Sequence, residues 1–376
     1  MMRKRFLLPA VWMLAVILLV FAVSSCCAET LGFGTVNAGD VALRKTPGGQ
    51  KLIRLPKDTC VWIKNAQTVS GALWYEVNLG WYDGGTYRSR SGWMKAEFID
   101  AGDTLWNNVE SVKAGQYGLM ALRKNGTVEC VCNMDNQALR SWAAGLRDIR
   151  QVSLTWLGWG FYALNGSGTF TDADGNTERN IRLSSDYGYP TLITRDNRLV
   201  TGGITGMSWI WPQAVGTEQL SRVTAMVNSD ARLLFLTDEG RVYAASITEE
   251  PVPGEPDWEQ WTDVAGIDAG ISTFTGGRPY QYTFAAVRKD GTVLAAPEKL
   301  ADLLSSWQDI KKVCIGYQWI LGLKNDGTVL ILAPGGTKVP DVSGWTGITD
   351  IGNGGDYIVG VKADGTLVFA GEHTFS

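Results

Sequence analysis

Apolar residues in this chain come in short runs that break at an Asn-Gly or Asp-Gly pair and then resume. Leu122-Arg123-Lys124-Asn125-Gly126-Thr127-Val128 is one such unit, and Val287-Arg288-Lys289-Asp290-Gly291-Thr292-Val293 is another. Leu323-Lys324-Asn325-Asp326-Gly327-Thr328-Val329 and Val361-Lys362-Ala363-Asp364-Gly365-Thr366-Leu367 repeat it. Such turns need positive φ, which Gly supplies, so each unit predicts a strand, a tight turn and a second strand. Looser copies are Leu164–Phe170 and Leu236–Val242. A degenerate one is Ile193–Leu199, with Asn197 in the place of Gly. Asn is the non-Gly residue best suited to a left-handed backbone. The turn positions are 126, 168, 197, 240, 291, 327 and 365, at intervals of 42, 29, 43, 51, 36 and 38 residues, which makes seven repeats.

A second mark precedes most turns: Trp, two residues, Ile or Val, two residues, Ile or Val. It occurs as Trp106-Val109-Val112, Trp261-Val264-Ile267, Trp307-Ile310-Val313 and Trp345-Ile348-Ile351; Ile149-Val152 and Leu220-Val223 keep its later part. The mark predicts the innermost strand of each unit. A period of this size, with several short strands per unit, is the spacing of propeller blades. Helical solenoids of similar period need apolar residues at 3.6 spacing, which is absent. The expected fold is all-β: a seven-bladed β-propeller over 103–376. Its ring is expected to close by residues around Thr104–Val109 completing the last blade, which would remove exposed strand edges.

The segments Ala114-Gly115, Ala121-Leu122 and Asn125-Gly126-Thr127-Val128 resemble the regulator-of-chromosome-condensation type of seven-bladed propeller. Where that family carries a His before its Ser/Thr-x-Ala-Leu segment, this chain has Gly118, Gly160, Arg232, Thr283, Trp319 and Tyr357. The resemblance therefore implies the fold and no activity of a particular member.

Residues 29–102 are patterned differently. Val41–Arg44, Leu52–Ile63, Trp74–Val77 and Ser91–Met94 predict five or six short strands, a small barrel in which Trp62, Trp74 and Trp93 pack the core. Leu43-Arg44, Pro47, Trp74-Tyr75, Val77, Gly92-Trp93 and Phe98-Ile99 resemble the bacterial Src-homology-3-like domain. That resemblance implies wall-peptide or other extracellular ligands. An insert over Leu79–Ser91 departs from it and carries Trp81, Tyr82 and Tyr87 in a loop, where they are candidate ligand contacts. Ile99–Asp103 is read as a short linker that brings the two domains into touch.

Residues 1–28 read as a signal segment: Arg3-Lys4-Arg5, an uncharged run from Phe6 to Val23, then Ser24-Ser25-Cys26-Cys27-Ala28. Cleavage after Ala28, lipidation at Cys26 and retention as an anchor are all compatible, and each puts the body outside the cytoplasm. Loss of these residues removes three basic and no acidic side chains, taking the formal net charge from -4 to -7. An acidic chain is a poor nucleic-acid partner.

Candidate chemistry is thin. His373 is the single His, so Ser-His-Asp and Cys-His arrangements are absent. Cys60, Cys130, Cys132 and Cys314 read as small buried hydrophobes, with a disulfide possible outside the cell. Asp172–Glu178 is faintly like a calcium loop, but Thr177 and Leu183 stand where an EF-hand needs Gly and Glu, so a plain turn is expected. Glu249, Glu250, Glu255, Asp257 and Glu259 lie in a Pro-rich insert, expected to be a solvated loop. No cofactor and no metal are expected. Aromatics do recur just after the inner-strand mark: Tyr117, Trp156, Trp159, Tyr187, Tyr189, Tyr280, Tyr282, Tyr317, Trp319 and Tyr357. Equivalent positions fall on one rim, where Trp and Tyr make interface anchors. Some extracellular propellers of the type resembled grip a partner protein with such a face, which the resemblance implies as an expectation here. The expectation is an exported, monomeric, non-enzymatic protein whose rim binds a protein or cell-envelope partner, the small barrel aiding attachment. The alternatives are a carboxylate-based hydrolase at the propeller face and a purely structural role.

Overall fold

The computed structural model describes residues 32–83, 86–133, 136–155, 158, 160–185, 190–201, 217–229, 231–247, 252–273 and 281–373. The signal segment lies outside them. Strands β1 (Gly32–Val36), β2 (Val41–Arg44), β3 (Lys51–Leu55), β4 (Cys60–Val69), β5 (Ala72–Asp83), β6 (Thr86–Lys95) and β7 (Ile99–Asp100) form one antiparallel sheet. Its order is β3-β2-β6-β5-β4-β1-β7, curled into a half-barrel around Leu43, Val61, Ile63, Val77 and Met94. Two expectations change here. The insert at Leu79–Ser91 is no loop: β5 and β6 stay paired out to Asp83 opposite Thr86. The linker is part of the sheet, since Ile99 and Asp100 pair with Val36 and Thr35.

Seven small antiparallel sheets follow among the described residues, each a propeller-like blade of inner, middle and outer strand. Blade 1 is Val109–Gly115, Gly118–Arg123 and Val128–Cys132. Blade 2 is Ile149–Leu154, Phe161–Asn165 and Phe170–Asp172, with a short fourth strand Thr177–Glu178. Blade 3 is Ile181–Ser184, Thr191–Thr194 and Leu199–Thr201; blade 4 is Val223–Asn228, Arg232–Thr237 and Val242–Ser246. Blade 5 is Val264–Ser272, Gln281–Arg288 and Val293–Ala296. Blade 6 is Ile310–Ile315, Ile320–Lys324 and Val329–Leu332, and blade 7 is Ile348–Asn353, Tyr357–Lys362 and Leu367–Gly371. Short helices interrupt the β pattern: α1 (Asn136–Gly145), α2 (Thr217–Ser221) and α3 (Glu298–Leu304). Leu139 and Ala143 of α1, and Leu300 and Leu304 of α3, cover the outer edges of blades 1 and 5, which hides unpaired strand edges.

The three-residue spacing of the inner mark has a mechanical meaning. In a regular strand, residues three apart point to opposite faces. Every inner strand carries a register shift just after its first residue, as between Val109 and Ser111 or Ile310 and Lys312. One extra residue restores the face, so Val109 and Val112, or Ile348 and Ile351, are buried together. The upstream Trp is a plate for the same blade. A Cβ on Gly322 would lie 2.4 Å from Trp307, and one on Gly360 would lie 2.8 Å from Trp345.

The hairpin turns also build the seams between blades. All seven turn residues have positive φ, Asn197 included at 59°. The first inner-strand amide of the next blade donates to the turn carbonyl: Ile149 to Gly126 (2.9 Å), Ile181 to Gly168 (2.9 Å), Val264 to Gly240 (3.0 Å) and Ile310 to Gly291 (3.0 Å). At the degenerate copy, the Arg182 guanidinium reaches across instead, donating to the carbonyls of Leu220 (2.6 Å) and Val223 (2.7 Å).

The ring closes by the same device. Val109 N donates to Gly365 O at 2.9 Å, and the inner strand of blade 1 packs against blade 7. This corrects the expectation that Thr104–Val109 would complete the last blade: the sheet of blade 7 contains only its own three strands. The half-barrel seals the junction from outside, with β1 lying against the outer strands of blades 1 and 7. Phe33 and Trp62 of the half-barrel share one core with Trp106, Tyr357 and Phe369 of the ring. Ring centroids of Phe33 and Tyr357 are 5.1 Å apart, those of Trp62 and Phe369 5.9 Å, and both pairs are edge-on. Trp106 Nε1 donates to Phe33 O, and Arg140 of α1 holds Asp58 at 2.7 Å and Thr35 at 2.9 Å. Trp62 is thus a core residue, as the sequence suggests, but of a core the two parts share.

Candidate functional site

Among the described residues, the inner-to-middle connections join equivalent strand ends of successive blades, and the aromatics expected there divide into three groups. Trp156, Trp159, Tyr187, Tyr189 and Tyr280 lie outside the described residues, as do the side chains of Trp81, Tyr82 and Tyr87. Tyr117, Tyr282 and Tyr317 are half-buried, keeping part of each residue toward solvent. Trp319 and Tyr357 are corrections: they are 4% and 0% exposed. The Tyr357 hydroxyl donates to Gly115 O (3.1 Å) and Gly118 O (2.9 Å), pinning blade 7 to the first loop of blade 1. Trp319 Nε1 donates to Lys338 O at 3.2 Å.

Tyr357 begins a middle strand and Trp319 immediately precedes one, at the position where the resembled family carries His, and Arg232 at that position is a peg too. Arg232 holds Glu255 through two 2.8 Å bonds, and Trp258 Nε1 donates to the same carboxylate at 2.9 Å. Burial alone would raise the Glu255 pKa, but its bonds to Arg232 and Trp258 outweigh that and hold it below the usual carboxylate range. The Pro-rich insert is therefore anchored, with Val252 buried in the core beside it, and is not a free solvated loop at this point.

The loops bearing Tyr117 and Tyr317 are braced from both sides. Besides the Tyr357 clamp on one flank, Gly158 of blade 2 meets Gly115 and Gly118 backbone to backbone on the other. A Cβ on Gly115 would lie 2.8 Å from Gly158 N. Around Tyr317, Thr273 N and Oγ1 donate to its carbonyl, Ser272 Oγ donates to Gly316 O, and Asn353 Nδ2 donates to Trp319 O. Rigid loops lose little freedom when a partner docks.

The second concave feature is the central channel, whose particular Asp and Lys residues the sequence reading did not single out. An innermost strand has one unpaired edge, and polar side chains on the preceding inner strand satisfy it. Asp350 accepts from Val112 N (2.9 Å), Asp268 from Ile315 N (2.6 Å), and Gln151 bonds both Ser184 N and O. Lys312 Nζ reaches Asp350 and Ile351 O. Charged residues interrupting an otherwise apolar mark are the sequence signal that could have found them. Burial pushes the Asp268 carboxyl up to about 6, against the lowering pull of Ile315 N–H, Lys113 and Lys312. The half-buried Cys314 thiol is pushed up to about 12 by desolvation and by the nearby Asp268 carboxylate.

Other candidates resolve as structure. Cys60, Cys130 and Cys132 are buried among hydrophobic neighbours. Asp172 accepts from Asn176 N and Nδ2, both at 2.8 Å, as a turn carboxylate does. No helix among the described residues is long and apolar enough to cross a membrane.

No protein-family model and no curated protein matches the chain. Solved structures similar to it include the computationally designed Ika8 protein, 13% identical over 92% of this chain and 100% of that one, with a TM-score of 0.43. Yeast RCC1 (Prp20) bound to Kap60 is 13% identical over 70% of each chain, with a TM-score of 0.34. BamB from Moraxella catarrhalis is 12% identical over 90% of this chain and 96% of its own, with a TM-score of 0.37.

Proposed function

We propose that this chain is an exported, non-enzymatic binding protein that docks a protein or cell-envelope partner on the face of the ring formed by the inner-to-middle loops. The observation that carries the reading is the placement of Tyr117 and Tyr317 on braced loops with part of each residue still exposed. Half-exposed Tyr on a pre-organised loop gives contact area at low entropic cost. In sequence, Trp156, Tyr187 and Tyr280 fall between the inner and middle strands of blades 2, 3 and 5. The half-barrel, resembling Src-homology-3-like domains, would serve attachment to the envelope. Its paired β5–β6 extension, bearing Trp81, Tyr82 and Tyr87 in sequence, is its candidate contact. A hydrolase reading has Asp268 and Asp350 to draw on, but each accepts a main-chain amide of the next blade, which favours binding over catalysis.

The test is recovery of partners from an envelope extract of the producing organism by native chain and by a Tyr117→Ala/Tyr282→Ala/Tyr317→Ala variant of matched thermal stability. Loss of at least one abundant partner, about tenfold or more, is expected. Identical recovery by both would remove the docking face.

A further inference from the structure

The curled sheet of the half-barrel has two faces. One surrounds its own core, and the other enters the ring at Phe33 and Trp62. Away from the ring, on β2, β3 and β6, that second face is basic. Strand alternation and register settle which residues share it. Ala42 stands opposite Arg54, Arg44 opposite both Lys51 and Trp93, and Lys95 opposite Trp74. Val41, Leu43 and Met94 between them belong to the core. Arg44, Lys51, Arg54 and Lys95 therefore share the outer surface, with Trp74 among them, 5% exposed. The same strands open a groove. Among the described residues, β2 and β6 are neighbours that pair at one position, Arg44 opposite Trp93. Toward Val41 and Lys95 they part, and a groove of about 360 Å³ occupies the angle, lined by all four cations and by Asp40.

The present partners of these cations leave a positive excess. Arg54 pairs with Asp40, Lys95 pairs with Glu97 at 3.0 Å, and Arg44 donates to Gly49 O at 2.8 Å. Both ion pairs stand in solvent. Such pairs contribute little, so an incoming carboxylate can exchange for them. The charge of the chain is also divided. Residues 32–100 carry nine Lys or Arg and six Asp or Glu, a balance of +3, whereas residues 101–376 carry 22 and 31, a balance of -9. An anionic partner is repelled by the ring and steered to the half-barrel.

We propose that this groove binds an extended acidic segment of a partner protein, laid between β2 and β6 as an added strand. The parted strands offer main-chain edges, which a peptide can pair and a polyanion without amides cannot. In an added strand, side chains alternate. Acidic ones face Arg44, Lys51, Arg54 and Lys95 outside, and apolar ones face Ala38 and Phe98, which border the half-barrel core. The groove is separate from the ring face and stands independently of it.

Fluorescence anisotropy with the full chain tests this, using a labelled octapeptide of alternating Glu and Val at about 50 mM salt. Saturable binding is expected. A block peptide of the same composition, four Glu followed by four Val, should bind at least about fivefold more weakly, because it cannot sort its charges to one face. Lys51→Glu/Lys95→Glu, of matched thermal stability, should weaken binding about tenfold or more. Lys57→Glu/Lys64→Glu makes the same charge change outside the groove lining and should stay within about twofold of the native chain. The Tyr117→Ala/Tyr282→Ala/Tyr317→Ala variant should bind the peptide as the native chain does, which separates this site from the ring face. Absence of binding, equal binding of the block peptide, equal losses in the two charge-reversed variants, or loss in the Tyr variant would overturn the proposal.

Discussion

At the scale of single residues, the chain uses polar groups to hold its own backbone. Asp268, Asp350 and Gln151 sit in otherwise apolar strands because an innermost strand has amides that no neighbouring strand pairs, and an unsatisfied buried amide is costly. Asp268 carries the thermodynamic mark of this. Its folded pKa, about 6, stands above the ordinary 3.8, so between those values the folded chain holds more proton than the unfolded one. Its contribution to stability therefore falls as pH rises from about 4 to 6 and stays low above that. Asp268→Asn keeps the acceptor for Ile315 N and removes the buried charge. Urea unfolding should show it more stable than the native chain by about 1–2 kcal/mol at pH 7.5, with the difference gone at pH 4. Equal stability at pH 7.5 would mean that the two lysines fully compensate the carboxylate.

At the scale of elements, the repeated hairpin is both a turn and a joint. Gly365 has φ of 84°, and a Cβ on it would lie 2.9 Å from Val109 N and Asn108 Cα. Left-handed strain and a clash at the closing seam act together, so Gly365→Ala should cost about 2–3 kcal/mol in denaturant unfolding. The same change at Gly48, also left-handed at φ 71° but open around its Cβ, should cost about 1 kcal/mol. Equal losses would show that the seam tolerates the methyl. The hairpins, their left-handed turns and the inner strands were all legible in the sequence, because turn chemistry and apolar spacing are local. The bulge was legible in principle, since a spacing of three demands it. The helices α1 and α3 were not, because their short apolar faces resemble one more strand until an outer blade edge is there to receive them.

At the scale of the whole molecule, half-barrel and ring share one hydrophobic core. Phe33 and Trp62 enter the core of blades 1 and 7 where the ring closes, and Arg140 ties α1 to Asp58 and Thr35. Calorimetric unfolding of the chain from residue 29 onward should show a single transition. Trp62→Ala should lower stability throughout by about 3–5 kcal/mol, and a chain beginning at residue 103, with Trp106, Tyr357 and Phe369 uncovered, should lose its cooperative transition. Two resolved transitions, or a stable ring without the half-barrel, would show that the shared core is dispensable.

The order of apolar and polar residues by itself determined that this chain folds into repeated hairpins, how many there are, and where each turn lies. Those features depend on φ preferences and side-chain alternation within a few residues, and no distant contact can reassign them. Only the tertiary structure decided which aromatics are exposed. Trp319 lies two residues beyond the half-exposed Tyr317, and Tyr357 follows the same kind of connection as Tyr117, yet both are buried by neighbouring blades and the half-barrel. It alone brought Lys113, Asp268 and Lys312 together, because residues on different blades meet only once the ring has closed.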